Sequence, residues 1–148
     1  MSCVLGFDVG SKLIGVAVGN RITASARALA VVPVHESGPD WARLDALHKQ
    51  WLPETLVVGL PLALDGTNQP ATRLARRFAE HLRERYKAPV ALVDEQHSSQ
   101  EAARRFADAR AAGTRRRRDA AAIDAEAAAV ILERWLAAAS ATDQTPTG

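Results

Sequence analysis

The chain opens with apolar residues packed at short period. "CVLGFDV" (Cys3–Val9) reads as a first strand and "LIGVAVG" (Leu13–Gly19) as a second, separated by a Gly-Ser-Lys turn too short for a crossover helix, so the two are expected to be antiparallel. "ITASARALAVVP" alternates loosely enough for a third strand, ended by Pro33. The period then lengthens. Trp41, Leu44, Leu47, His48 and Trp51 fall at helical spacing, with Asp40 as the cap and Pro53 as the stop. "TLVVGL" is a continuous apolar run of the kind buried on both sheet faces. A loop "PLALDGTNQP" follows, and then a helix from about Thr72 to Tyr86 with Leu74, Phe78, His81 and Leu82 turned inward. "PVALVDE" is another buried strand, "SSQEAARRFADARAAG" another helix with Ser98 or Ser99 as cap and Gly113 as stop, and "DAAAIDAEAAAVILERWLAAA" the last. The order β-β-β-α-β-α-β-α-α predicts an α/β fold: a mixed five-stranded sheet flanked by helices on both faces. Residues 1–139 form the expected domain and the polar residues 140–148 a disordered tail.

Length and composition narrow the class without identifying the chemistry. With 148 residues, 47% hydrophobic and 24% charged, the chain is sized for one domain with a core of its own, which leaves no room for a two-domain enzyme. No apolar run approaches the ~20 residues that span a bilayer, and the N-terminus lacks the basic-then-apolar pattern of a leader, so a cytoplasmic protein without membrane contact is expected. The single cysteine, Cys3, excludes an internal disulfide and a thiolate zinc cluster, and its place at a strand start suggests an inert thiol. Net charge is only +2, but it is unevenly distributed. From Arg104 to Arg118 seven arginines face one acid, Asp108, a local balance of +6 that suggests a polyanionic partner.

The acids carry the candidate chemistry. Asp8 interrupts an otherwise apolar strand near its C-terminal end, and burying a carboxylate there is costly unless something compensates it. Glu95, with Asp94 beside it, ends the last strand. If the two strands run parallel, both carboxylates emerge at the edge where open α/β sheets place their ligands. Asp124 heads the apolar stripe of the final helix, Ala127, Ala128, Ile131, Leu132 and Trp135, and so points toward the sheet. Each acid has a plain structural role open to it: Asp8 as an acceptor for turn N–H groups, Asp94 and Glu95 as a solvated strand end, Asp124 as a helix-start acid like Asp119. Three acids converging without a basic partner repel one another, and a divalent metal is the usual resolution.

"LGFDVGSKLIGVAVG", "VVGLPLALDGT", "VDEQHSSQEA" and "IDAEAAAVILERWL" resemble, in order and spacing, the four signature blocks of the YqgF family of Holliday junction resolvases or pre-16S rRNA nucleases, over roughly residues 3 to 137. The resemblance implies a ribonuclease H-like fold with Asp8, Glu95 and Asp124 as catalytic, metal-binding acids. Many relatives carry Arg where this chain has Leu13, and Asp-Glu-Arg with a following Leu where it has Asp94, Glu95, Gln96 and His97. These departures leave the acids intact and remove positive charge near them, and His97 is a candidate replacement.

Carboxylates of this kind hold two Mg²⁺ or Mn²⁺ ions about 4 Å apart, which activate a water and stabilise the leaving 3′-oxygen of a phosphodiester. Asp8 is the expected bridging ligand. Candidate substrate contacts are Lys12 in the first turn, Thr67 in the loop after "VVGL", and Arg115, Arg116, Arg117 and Arg118, whose guanidinium groups suit phosphate. A solvated charge run and a simple Asp65-Gly66 turn are the alternatives for those segments. Trp41, Trp51 and Trp135 are read as core. The expected activity is metal-dependent endonuclease cleavage of structured nucleic acid, with maturation of a pre-16S rRNA 5′ end, in contact with a ribosomal subunit, as the first reading. Holliday junction resolution, which calls for a homodimer rather than a monomer, and a non-catalytic nucleic-acid-binding module are the alternatives.

Overall fold

The computed structural model describes residues 3–61, 70–94 and 122–143. Within them the chain runs β1 (Cys3–Val9), β2 (Leu13–Asn20), β3 (Ser25–His35), β4 (Gly38–Pro39), α1 (Trp41–Trp51), β5 (Thr55–Leu60), α2 (Pro70–Tyr86), β6 (Val90–Asp94) and α3 (Ala122–Asp143). The sheet order is β4-β3-β2-β1-β5-β6. β1 pairs antiparallel with β2, and β2 with β3, whereas β1–β5 and β5–β6 are parallel. This is the expected mixed sheet: a meander on one side, and on the other, parallel strands reached through helices. The expected helix between β6 and α3 lies outside the described residues.

Strict alternation along the strands divides the core in two. Leu5, Phe7 and Val9 of β1, with Ile14, Val16 and Val18 of β2 and Leu56, Val58 and Leu60 of β5, face α1 and α2, where Leu44, Phe78 and Leu82 meet them. Val4, Ala17 and Val57 face the other way, against Ala128, Ala129, Ile131, Leu132 and Leu136 of α3. Burial of each large aliphatic side chain contributes about 1.5–3 kcal/mol, so both layers add to the stability of the sheet.

Local signals set the helix ends. The Asp40 carboxylate accepts from the Arg43 N–H at the start of α1, and Leu52 closes it in a left-handed turn, its N–H donating to the His48 carbonyl 2.8 Å away. Pro70 begins α2, where a missing N–H costs nothing, and the Thr72 hydroxyl donates to the Pro61 carbonyl, tying the helix to the end of β5.

Four expectations are corrected. The sheet has six strands, because the chain turns back at Gly38 (φ 121°) and adds the short β4, pairing Val34 with Pro39 and His35 with Gly38. β3 continues past Pro33: the lost donor is tolerated this near the sheet edge, and the Val34 N–H donates to the Lys12 carbonyl at 2.8 Å. His81 is exposed, its ring set edge-on against Trp41 at 6.1 Å, since the apolar stripe of α2 meets solvent there. α3 runs to Asp143, into the stretch expected as a polar tail. Cys3 is half-buried, and burial, then the Glu54 carboxylate, pushes its thiol pKa up, as suits an inert thiol. The three tryptophans are half-buried at the margins of the two cores. No described helix is long and apolar enough to cross a membrane.

Candidate carboxylate centre at the sheet edge

Asp8 is the penultimate residue of β1, and the sheet register fixes which way it faces. Val4 packs against α3, and a Cβ on Gly6 would lie 3.0 Å from the Leu132 Cβ, so the even-numbered residues of β1 face α3 and Asp8 continues that row. Across the ladder Asp8 is paired with Gly15. Directly opposed residues of an antiparallel pair project to the same face with Cβ positions about 4.5–5.5 Å apart, so the Asp8 side chain stands beside whatever occupies the space above Gly15.

That space holds the first turn of α3. A Cβ built on Gly15 would be deep inside van der Waals contact with the Asp124 carbonyl and 2.7 Å from the Ala125 nitrogen. Only a glycine lets helix backbone settle onto the strand here, and this close approach brings Asp124 to the strand pair that carries Asp8. Both acids stand out in the sequence, whereas Gly15 does not. Its signal was the glycine-rich spacing of "LIGVAVG", which does not reveal the element that fills the missing side chains.

Asp124 is half-buried, and burial pushes its carboxyl pKa up from the ordinary value. Among the described residues no basic side chain pairs with Asp124. A half-buried carboxylate without a cationic neighbour, on the strand pair that carries a second acid, fits a hard divalent cation, which takes oxygen ligands and would relieve the desolvation.

β6 reaches the same edge. β1, β5 and β6 run parallel, with Phe7 aligned to Val58 and Leu60 to Asp94, so their C-terminal ends lie together. Glu95, which follows Asp94, lies outside the described residues, as do Gln96, His97, Thr67, Arg115, Arg116, Arg117 and Arg118. Among the described residues no group of three His, Cys, Asp or Glu side chains comes together. Lys12 is exposed in the β1–β2 turn, which is closed by the Gly10 N–H donating to the Leu13 carbonyl at 2.9 Å, and therefore stands on the carboxylate edge. Leu13, half-buried, starts β2 opposite Pro33.

Comparison with known proteins identifies the family and the fold. A family model described as RuvX, Holliday junction resolvase, matches residues 2–138. A protein of Xanthomonas axonopodis pv. citri named "Putative pre-16S rRNA nuclease" is 64% identical over 135 residues, 91% of this chain and 87% of its own length. One of the same name from Xanthomonas euvesicatoria pv. vesicatoria is 60% identical over 143 residues, 97% and 92% of the two chains. Among solved structures, Thermus thermophilus RuvC in complex with a Holliday junction substrate aligns over 96% of this chain and 98% of its own at a TM-score of 0.58 and 20% identity. A second Thermus thermophilus RuvC structure aligns over 95% and 97% at 0.53. At that identity the likeness concerns the fold, a ribonuclease H-like α/β sheet.

Proposed function

Since the chain belongs to the RuvX family, a family of nucleases, we propose that it is a metal-dependent endonuclease that cleaves phosphodiester bonds in structured RNA, acting on the 5′ end of pre-16S rRNA during ribosome assembly in the cytoplasm. One observation supports the chemistry most: the seating of the α3 first turn on Gly15, which sets Asp124 beside Asp8. Asp8, Asp124 and Glu95 are the residues that would hold Mg²⁺ or Mn²⁺. Such ions lower the pKa of a bound water and stabilise the leaving oxygen.

The protein's own residues then position the strand. Lys12 at the sheet edge, with Arg115, Arg116, Arg117 and Arg118, would hold phosphates on either side of the scissile one, and Thr67 would contribute a hydroxyl. Burial of Asp124 excludes bulk water from one side of the centre, which strengthens every electrostatic contact made there. With Leu13, Gln96 and His97 in place of the basic pattern of many relatives, phosphate recognition falls more heavily on Lys12 and the arginine run.

A second reading, resolution of branched DNA, is favoured by the family's description and by the fold of the junction-bound RuvC. It requires a two-fold dimer that cuts paired strands symmetrically. Purified wild type and Asp8→Asn, given a 5′-extended small-subunit rRNA precursor and separately a four-way DNA junction in Mn²⁺, Mg²⁺ or EDTA, separate the readings. Metal-dependent RNA cleavage that is lost in Asp8→Asn is the expected result. Junction cleavage by a dimer, with RNA untouched, would replace it with the resolvase. Binding of both substrates with no cleavage in any metal would leave a non-catalytic module.

A further inference from the structure

On the sheet face opposite the carboxylates lies a pocket of about 300 Å³ that begins at Val9 and Gly10, immediately after Asp8. We infer that it receives one unstacked nucleobase of the bound strand, next to the phosphate held at Asp8. The inference rests on the nuclease reading for the identity of the strand, and on the pocket itself for the rest.

Its size lies at the lower end of small-ligand pockets, roughly 300–1,000 Å³, enough for a single nucleoside and too small for a stacked run. Its walls are apolar and aromatic. Val9 and Ile14 come from the sheet, Phe78 from α2 and Trp41 from the start of α1. The Trp41 ring is fixed by Phe78, stacked at 5.7 Å, and by the Arg85 guanidinium 5.0 Å from its centroid, so the wall is rigid before any ligand arrives. With Phe78 and Arg85 against the Trp41 ring, a flat heteroaromatic group would meet the remaining exposed edge of Trp41, an edge-to-face contact.

The rim adds the polar half of a nucleotide site. Arg77 and His81 lie one turn apart on the exposed side of α2, and among the described residues Arg77 has no carboxylate partner. A guanidinium in this position suits a phosphate. Across the opening, on the β3–β4 turn, Glu36 supplies an acceptor for an exocyclic amino group. A free anion would gain nothing from the apolar walls and would be repelled by Glu36, and an alkyl chain would leave Arg77 and His81 unused.

Continuity with the carboxylate centre favours a strand over a free nucleotide. Asp8 and Val9 are consecutive and face opposite sides of the sheet about 3.3 Å apart along β1. A strand that wraps over the sheet edge at Gly10 could then present one nucleotide's phosphate to Asp8 on one face and a neighbour's base to Val9 on the other.

The test is binding in EDTA, which separates it from cleavage. A single-stranded RNA tetranucleotide, a nucleoside 5′-monophosphate and ribose 5-phosphate are titrated while the Trp41 and His81 side-chain NMR signals are followed. The monophosphate should move both signals. The tetranucleotide should move the same signals and bind at least tenfold more tightly, because its other phosphates reach Lys12. Arg77→Ala should weaken both by at least fivefold while leaving the unliganded spectrum in place, and His81→Ala should weaken them with Trp41 as the reporter. Equal shifts from ribose 5-phosphate would overturn the base assignment, and tighter binding of the monophosphate would overturn the strand assignment. Absence of any shift, as when another part of the chain fills the pocket, would overturn the proposal outright. Failure of cleavage with these shifts intact would count against the nuclease reading and not against the pocket.

Discussion

The two faces of the sheet are built on opposite rules. Toward α1 and α2, large side chains fill the gap: Phe7 meets Phe78 edge-on at 5.5 Å, and Leu44, Leu56 and Leu82 close around them. Toward α3 the sheet presents Gly6, Gly15, Ala17 and Gly19, so the side chains of Leu132 and Leu136 settle close over Gly6 and Gly19, and at Gly15 helix backbone meets strand backbone. The first face resembles an ordinary oily core, tolerant of repacking. The second has little slack. A layer built from missing side chains fixes the height and slide of its helix, and the acid placed by that helix is Asp124. Both faces carry stability, but the α3 face also sets the position of an acid.

That difference can be broken from either side. The largest stability loss is expected from Leu82→Ala, a buried truncation worth about 2–5 kcal/mol in urea unfolding, with cleavage per folded molecule unchanged. Gly15→Ala should show the reverse balance. Its methyl group has to push the α3 backbone away, costing about 1–3 kcal/mol of stability, and a misplacement of about 1 Å in the acid lowers the cleavage rate on the order of 100-fold. An active Gly15→Ala would show that helix height does not matter to the site.

Smaller changes sharpen the electrostatic side. Burial raises the Asp124 pKa in the folded chain, so its effect on stability is most favourable below the ordinary carboxylate pKa and is lost as pH rises through the shifted value. In metal-free buffer, Asp124→Asn should therefore raise the melting temperature near neutral pH and flatten its decline between mildly acidic and neutral pH. On the other face the sign reverses. The Arg85 guanidinium and then the Tyr86 hydroxyl, at 2.6–2.8 Å, hold the Asp45 carboxyl down at about 2. Its contribution is present above the ordinary carboxylate pKa near 4 and is lost as pH falls toward 2. Because this pair is largely exposed and screened, Asp45→Asn should cost about 1 kcal/mol or less at pH 7, and the difference from wild type should shrink in acid melts.

Much of this architecture is legible in the sequence because alternation and helical spacing report burial directly. The antiparallel β1–β2 pair, the doubly buried β5 and the Asp40 cap all follow from residue pattern. Asp8 and Asp124 stand out because each interrupts an apolar pattern where a carboxylate is costly. Other features depend on a partner distant in the chain. Gly15 is one strand glycine among several until the backbone of Asp124 is found above it. Pro33 reads as a strand end, but the pairing of Val34 with the β1–β2 turn and with β4 carries the strand past it. His81 falls on the apolar stripe of α2 by number, yet the stripe ends at solvent beside Trp41. Register and tertiary neighbours decide these cases.

The proposed chemistry requires that the Asp8–Asp124 pair binds a divalent cation. Calorimetric titration of Mn²⁺ into wild type, Asp8→Asn and Asp124→Asn, each first stripped with EDTA, measures this without any substrate. The expected result is saturable binding by wild type, weakened at least tenfold in each variant although both remain folded. Mn²⁺ binding by Asp8→Asn with wild-type affinity would contradict it, and the acid in the first strand would then be a structural residue.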